Sequence, residues 1–177
     1  MLKRLQDRRD ETKLTENGFA EFEAVYEAYA DQLYRVALST AGSREDAEDA
    51  VHDVFLKYIE TRPTFHDDEH LRAWLVRVTV NRCRDLIRRR KVRAYLTFDE
   101  AGELPASPED FGGNRILYFI SQLPPKYRGA IVLHHLENYS VEKISQMLGI
   151  SASAVKMRLS RGREALKEMM EKEEYHV

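Results

Sequence analysis

The sequence predicts an all-α protein with two small helical domains, joined by a flexible acidic linker, and a helix-turn-helix in the second domain. Three observations support this fold class. Every periodic segment repeats its apolar residues at intervals of about 3.6, as helices do, and none follows the strand period of about 2. Residues 94–113 contain five acids, no base, two prolines and three glycines, a composition that disfavours burial. Towards the C-terminus, two short helix-like segments flank a tight turn.

The composition is that of a soluble globular protein. The 177 residues include 28 bases and 30 acids, for a net charge of −2, and 43% of them are apolar. No segment approaches the run of about 18 apolar residues that a membrane helix needs, and the first residues lack the apolar stretch of a signal peptide. We therefore expect a cytoplasmic protein that does not insert into a membrane. The single cysteine, Cys83, excludes an internal disulfide.

Three helices are predicted in the first domain. An apolar stripe predicts a first helix over residues 19–41, which ends before Gly42. Ser43 can cap a second helix, and Pro63 ends it. A third helix is predicted over residues 71–91 by the same apolar spacing.

Three further helices are predicted after the linker. Pro125 suits the start of a helix that extends to Glu137. Two short helices follow over residues 140–148 and 151–171. The residues that bound them have the expected capping and turn chemistry: Ser140, Gly149 and Ser151. This pair of helices is the predicted helix-turn-helix.

Charged residues are segregated along the chain. Residues 44–69 have nine acids and three bases, whereas residues 72–93 have nine bases and one acid. We expect surfaces of such opposite charge to face different partners. Together with the acidic linker, this pattern divides the chain into five parts: an N-terminal extension (1–18), a first domain (19–92), the linker (93–113), a second domain (114–172) and a tail (173–177).

The last predicted helix has the pattern of a DNA recognition helix. Val155, Leu159 and Gly162 fall on one face, where the glycine indicates a close approach by another element. Small polar and basic side chains occupy the other face, and arginine and lysine in a major groove reach guanine edges and phosphates. The candidate DNA contacts are Ser153, Lys156, Arg158, Ser160, Arg161 and Arg163. An ordinary amphipathic helix with a solvated basic face is the alternative.

The third predicted helix has a basic face that suits a polyanion. The bases that share this face are Arg77, Arg84, Arg88 and Lys91. Trp74 and Asn81 interrupt the patch, and such residues can stack on and hydrogen-bond to an unstacked base. Two alternatives stay open: the bases can pair with the acidic helix of the same domain, and Trp74 alone is more often a core residue.

The second predicted helix has an acidic face. Asp46, Asp49, Asp53 and Glu60 lie opposite its apolar row, with His52 beside them. A basic protein partner would relieve the repulsion between these carboxylates, although solvation alone is an equal alternative.

No arrangement of residues indicates catalysis. His66 and His70 lie four apart among carboxylates, but in a predicted loop and without the H-E-x-x-H order of a zinc protease, so we expect no metal there. The chain has no glycine-rich phosphate loop and no nucleophile motif. We therefore expect neither an enzyme nor a cofactor.

Taken in order, these residues resemble the extracytoplasmic-function group of bacterial sigma factors, within the sigma-70 family. The resemblance covers about residues 20–172. It rests on LYRVA (33–37), DAEDAV (46–51) followed by DVFL (53–56), RAWL (72–75) with VN (80–81), LP (123–124), and VK (155–156) with RLSRGR (158–163).

The resemblance implies a role for each surface. The acidic helix would bind the beta-prime clamp helices of the RNA polymerase core through Asp49, His52 and Asp53, although His52 stands where the family commonly has Gln. The minus-ten element would be read and melted by the loop at 62–70 and by Trp74, Arg77 and Asn81. The basic helix would hold phosphates, through Arg84, Arg88 and Lys91. The recognition helix would bind the minus-thirty-five element. The linker would approach the RNA exit path. The resemblance also implies an anti-sigma factor as a partner.

Two other classes of function remain open. A conventional helix-turn-helix regulator would explain the second domain but would leave the charged helices of the first domain without a role. A helical protein-interaction or RNA-binding adaptor would explain both charged faces but not the turn at 149–151.

Overall fold

The computed structural model describes residues 16–97 and 105–174, and every element within these ranges is helical. The predicted all-α class is therefore confirmed. The predicted N-terminal extension (1–18) and tail (173–177) lie largely outside the described residues.

The first domain consists of three helices in the predicted order. They are α1 (Glu16–Ala41), α2 (Arg44–Thr61) and α3 (Asp68–Thr97). The Ser43 hydroxyl accepts a hydrogen bond from the Asp46 backbone N–H at 3.3 Å, which caps α2 as expected.

Helix α3 is longer than the predicted 71–91 at both ends. Its first turn is capped by Asp67, whose carboxylate accepts the His70 backbone N–H at 2.7 Å. At the other end it extends to Thr97, five residues past the expected end of the first domain. Arginine and lysine favour helix strongly, so the basic run at 88–93 has no tendency to stop it.

The C-terminal part of the linker is packed against the first domain. The Ala106 N–H donates to the Gly42 carbonyl at 3.0 Å, and a 3₁₀ turn follows at Pro108–Phe111. Ala106 and Phe111 are buried beside Cys83. The expectation that the linker resists burial is therefore wrong for these residues, because the apolar side chains within it find a cluster of alanines in α1 and α2. Residues 98–104 of the linker lie outside the described residues.

The second domain contains a helix that the apolar pattern did not predict. This helix, α4 (Arg115–Gln122), begins at Asn114, whose side chain accepts the Leu117 N–H at 3.3 Å. Leu117, Phe119 and Ile120 bury its inner face. An asparagine cap before apolar residues was the available signal, but eight residues are too few for a periodic pattern to stand out.

The helix predicted from Pro125 to Glu137 is interrupted. Helix α5 (Pro125–Ile131) continues as one wider π turn at Val132–Leu136, which the Glu137 N–H closes onto the Val132 carbonyl at 3.1 Å. The carboxylate of Glu137 thereby faces α1 and α3 of the first domain.

The helix-turn-helix follows as predicted, from α6 (Val141–Leu148) to α7 (Ala152–Glu174). Ser140 caps α6 by accepting the Lys143 N–H at 3.2 Å. Gly149 has the left-handed φ of +64° that the turn between the helices requires.

The two domains share one hydrophobic cluster. Leu75 and Val80 of α3 belong to the same buried cluster as Ile131 of α5 and Ile144 of α6. Helices α3 and α5 pack closely, since a Cβ on Gly129 would lie 3.2 Å from a methyl group of Val80. The break in composition between the domains therefore does not separate them in space.

Candidate nucleic-acid and partner-binding surfaces

The recognition helix α7 has one buried and one exposed face. Val155 and Leu159 are buried, and Gly162 lies so close to α5 that a Cβ there would be 2.8 Å from Cγ1 of Ile131. This is the close approach that the glycine predicted. The opposite face is exposed over its first three turns, where its side chains are Ser153, Lys156, Met157, Ser160, Arg161 and Arg163.

Two residues of α7 differ from the sequence prediction. Met157 is absent from the predicted contacts, yet 46% of it is exposed, and helical geometry places it between Ser153 and Ser160. The signal was its position two residues after the buried Val155, which puts it on the opposite face. Arg158, a predicted DNA contact, is half-buried on the side towards the first domain, where its charge reaches Arg84.

The basic face of α3 is divided into an outer and an inner part. Arg77, Arg88 and Lys91 are exposed as predicted. Asn81 and Arg84 are instead half-buried and hydrogen-bonded to the end of α6.

The side chains of the inner part donate hydrogen bonds to backbone carbonyls of α6. The Asn81 amide donates to the Met147 carbonyl at 3.2 Å, and the Arg84 guanidinium donates to the Leu148 carbonyl at 3.1 Å. Burial, followed by the charges of Arg158 and Arg88, lowers the pKa of Arg84 from its ordinary value. The structure thus places two predicted DNA-binding residues in the contact between the domains.

Some bases of α3 pair with the acidic helix, as the alternative in the sequence analysis proposed. The Arg82 guanidinium donates to the Asp53 carboxylate at 2.5 Å, and Arg90 lies 2.9 Å from the carboxylate of Asp46. Asp46 is buried, so it does not belong to an exposed acidic face. Asp53 keeps 36% of its side chain exposed beside Arg82.

Trp74 belongs to an aromatic cluster next to the loop between α2 and α3. Its ring is 5.8 Å from that of Phe65 and 6.3 Å from that of Tyr58, measured between centroids. Trp74 is half-buried and packs against the core. Trp74 is therefore partly a core residue, as the alternative in the sequence analysis proposed, and its ring also lies close to the loop.

An exposed apolar groove lies between α1 and α2, beside two of the predicted polymerase contacts. Tyr26, Leu56 and Ile59 are large apolar side chains with more than a third of their surface exposed. His52 lines the groove, and Asp49 is exposed on the same helix. The apolar stripe that predicts α1 does not show which of its members lack a covering element.

His66 and His70 lie close together around the start of α3. The rings of His66 and His70 are 5.5 Å apart, and the carboxylate of Asp67 between them caps α3. Residues 16–97 and 105–174 contain no group of three histidine, cysteine or acidic side chains that could hold a metal ion. In the same part of the chain, no helix combines the length and apolar character needed to cross a membrane.

Comparisons with known proteins match both domains. The family model of sigma-70 region 2 matches residues 25–93, and that of sigma-70 region 4 matches residues 113–166. The sigma factor SigW of Bacillus subtilis is 30% identical, over 84% of this chain and 88% of that protein. CarQ of Myxococcus xanthus is also 30% identical, over 88% and 92%. SigE of Mycolicibacterium smegmatis is 30% identical over 81% of this chain, a match that spans 59% of that protein.

Solved structures share the fold. The sigma factor RpoE in complex with the anti-sigma factor NepR, from Bartonella quintana, superposes with a TM-score of 0.70 at 24% identity, over 85% of this chain and 97% of that one. CnrH in complex with the cytosolic domain of CnrY superposes with a TM-score of 0.57 at 27% identity, over 85% and 88%. The sequence motifs, the two helical domains and these relatives agree, and the chain belongs to the extracytoplasmic-function group of RNA polymerase sigma factors.

Proposed function

We propose that this chain binds the RNA polymerase core and directs it to specific promoters, where it recognises and melts the minus-ten element and binds the minus-thirty-five element. The observation that carries the proposal is the separation of three surfaces on one molecule. An apolar groove with an acidic neighbour lies on α2, a basic face on α3 and a polar, basic recognition face on α7. A conventional regulator would employ only the last of these.

The groove on α1 and α2 is the proposed polymerase contact. Exposed aromatic and aliphatic side chains beside acids suit a helical partner with an apolar stripe and basic flanks, and the beta-prime clamp helices are the expected partner. Asp49 and His52 lie at this surface, while Asp53 contributes through the exposed part of its side chain beside Arg82.

The minus-ten element is assigned to α3 and the loop before it. Trp74, Arg77 and Asn81 lie at spacings of three and seven, so they share a face on which a base flipped from the non-template strand can stack and form hydrogen bonds. Aromatic stacking contributes about 1–3 kcal/mol per base. Phosphates of the same strand are assigned to Arg84, Arg88 and Lys91.

The minus-thirty-five element is assigned to the exposed face of α7. Lys156, Arg161 and Arg163 flank a centre of short serine side chains, from which Met157 projects. A methionine at this place suits the methyl group of a thymine, which major-groove helices recognise through apolar contact. Arg158 reaches DNA in this proposal only after it leaves the contact with the first domain.

Transcription with purified components tests the proposal. The chain is added to core polymerase and promoter-containing DNA, and transcripts from defined start sites are the expected result. Tight binding to duplex DNA without polymerase, and no defined starts with it, would instead favour a conventional helix-turn-helix regulator. Because the solved structure of the similar sigma factor RpoE contains the anti-sigma factor NepR, we also propose that this chain has such an inhibitor as a partner.

A further inference from the structure

We propose that the arrangement of domains described above is a self-masked state of the free chain, held closed by Glu137, in which the second domain covers the inner part of the promoter-binding face of α3. This inference rests on the proposed function, because it concerns access to the same DNA-binding residues. It adds a regulatory contact within the chain itself.

Two hydrogen-bond donors of α3 have competing uses. Asn81 and Arg84, which the proposed function assigns to minus-ten DNA, donate to the carbonyls of Met147 and Leu148. These carbonyls belong to the last turn of α6, where they have no partner within the helix and carry its partial negative charge. The end of α6 therefore occupies Arg84 as a phosphate would, and closure and DNA binding exclude each other at this point.

The contact between the domains also holds positive charges close together. Arg158 of the second domain and Arg88 of the first lie close enough to Arg84 to lower its pKa, and burial acts in the same direction. An approaching DNA strand would relieve this repulsion when it replaces the carbonyls. The closed state is thus one that an anionic strand can open.

Glu137 joins the domains through a buried carboxylate. It is 5% exposed, and it accepts hydrogen bonds from Gln32 at 2.5 Å and from Arg72 at 2.8 Å, both in the first domain. Arg72 also lies over the ring of Tyr139, 5.7 Å from its centroid. Removing the carboxylate of Glu137 leaves Arg72 without its anionic partner and weakens the contact between the domains. Glu137, Gln32 and Arg72 do not belong to the proposed DNA or polymerase surfaces, so the substitution leaves those surfaces intact.

A second polar contact closes the interface on another side. Arg128 of α5 donates to the Ala41 carbonyl at 2.7 Å and approaches the Thr40 carbonyl at 3.4 Å, so it caps the C-terminal end of α1. Burial lowers the pKa of Arg128 to about 10, which leaves it charged at neutral pH. Arg128 on α5 and Glu137 after the π turn thus join the domains at two points.

The test is the binding of single-stranded DNA by the free chain without polymerase. A fluorescently labelled, mixed-sequence strand is titrated with wild-type protein and with the Glu137→Ala variant, and affinity is read from fluorescence anisotropy. Because apparent affinity scales with the fraction of open molecules, we expect the variant to bind about 10-fold more tightly. Glu142→Ala is the matched control, since it removes an exposed carboxylate of the same domain, and it should change affinity less than 2-fold.

Small-angle scattering and a milder variant make the result decisive. Glu137→Ala should have a larger radius of gyration than wild type, with unchanged helix content by circular dichroism. Gln32→Ala, which removes one hydrogen bond to the same carboxylate, should show a smaller gain in affinity and serves if the first variant does not fold. An expanded variant that binds no more tightly than wild type overturns the inference, as does equal tightening by Glu142→Ala. If the wild-type chain directs transcription but the variants bind DNA like wild type, only the masking inference is contradicted. If the wild-type chain does not direct transcription from promoters, the proposed function itself is contradicted.

Discussion

Replacing Gly162 with alanine tests how the recognition helix is seated on the second domain. Helix propensity alone predicts that alanine at this interior position of α7 stabilises the protein by about 1 kcal/mol. The structure predicts the opposite sign. The new Cβ would lie 2.8 Å from Cγ1 and 2.9 Å from Cδ1 of Ile131, a side chain with 0% exposure and therefore no space to move into.

The magnitude follows from these two opposing effects. Forcing an extra methyl group into a packed core costs about 1–3 kcal/mol, and subtracting the gain in propensity leaves a net destabilisation of about 0–2 kcal/mol. Chemical denaturation followed by circular dichroism measures this difference. Ser160→Ala, on the exposed face of the same helix, is the control and should change stability by about 0.5 kcal/mol or less.

A double-mutant cycle identifies the cause. Ile131→Val removes the Cδ1 methyl group, so Gly162→Ala should cost less in that background, with a coupling of about 0.5 kcal/mol or more. Stabilisation of the Gly162→Ala single variant by the full propensity gain would refute the close contact. Additive effects in the cycle would show that the strain lies elsewhere.

Three further predictions concern the functional surfaces and the core. Met157→Ala should weaken binding to minus-thirty-five DNA by about 1 kcal/mol. This loss should be smaller when deoxyuridine, which lacks the methyl group, replaces the contacted thymine. Met170→Ala, at the far end of the same helix, is the control and should have no effect in the same binding assay. Arg88→Glu should reduce promoter opening while leaving polymerase binding unchanged, whereas Leu56→Lys should reduce polymerase binding in a pull-down, and loss of polymerase binding in both would contradict the division of surfaces. Cys83 is fully buried and its pKa is raised by burial, so a thiol reagent should modify it only at the rate of unfolding; rapid modification of the native protein would disprove its burial.

Local signals predicted the helices well where one or two residues decide a boundary. Ser43, Ser140 and Gly149 satisfy backbone groups within three or four residues of themselves, and such bonds form in the same way in any fold. Helix α4 and the π turn after Ile131 were missed because both are short, and because packing rather than periodicity determines them.

The site residues were predicted as members of helix faces, and pairing between the basic and acidic helices was an open alternative, but the individual partners were not predicted. Arg77 and Arg88 are exposed, as the face of α3 predicts, whereas Arg84 on the same face contacts a carbonyl 64 residues further along the chain. Asp53 likewise holds a base 29 residues away. Helical geometry relates residues within a few turns, and it contains no information about which distant element covers them.

The family, the helical fold and the order of charged surfaces were determined by the sequence itself, because motifs, caps and periodicity are properties of neighbouring residues. Only the tertiary structure decided that the domains close on each other and that Glu137 joins them across 65 residues to Arg72. It also decided that the aromatic residues of α1 border an open groove. The reason is that burial depends on which surfaces pack against each other, and the packing of distant elements is determined by the whole folded chain.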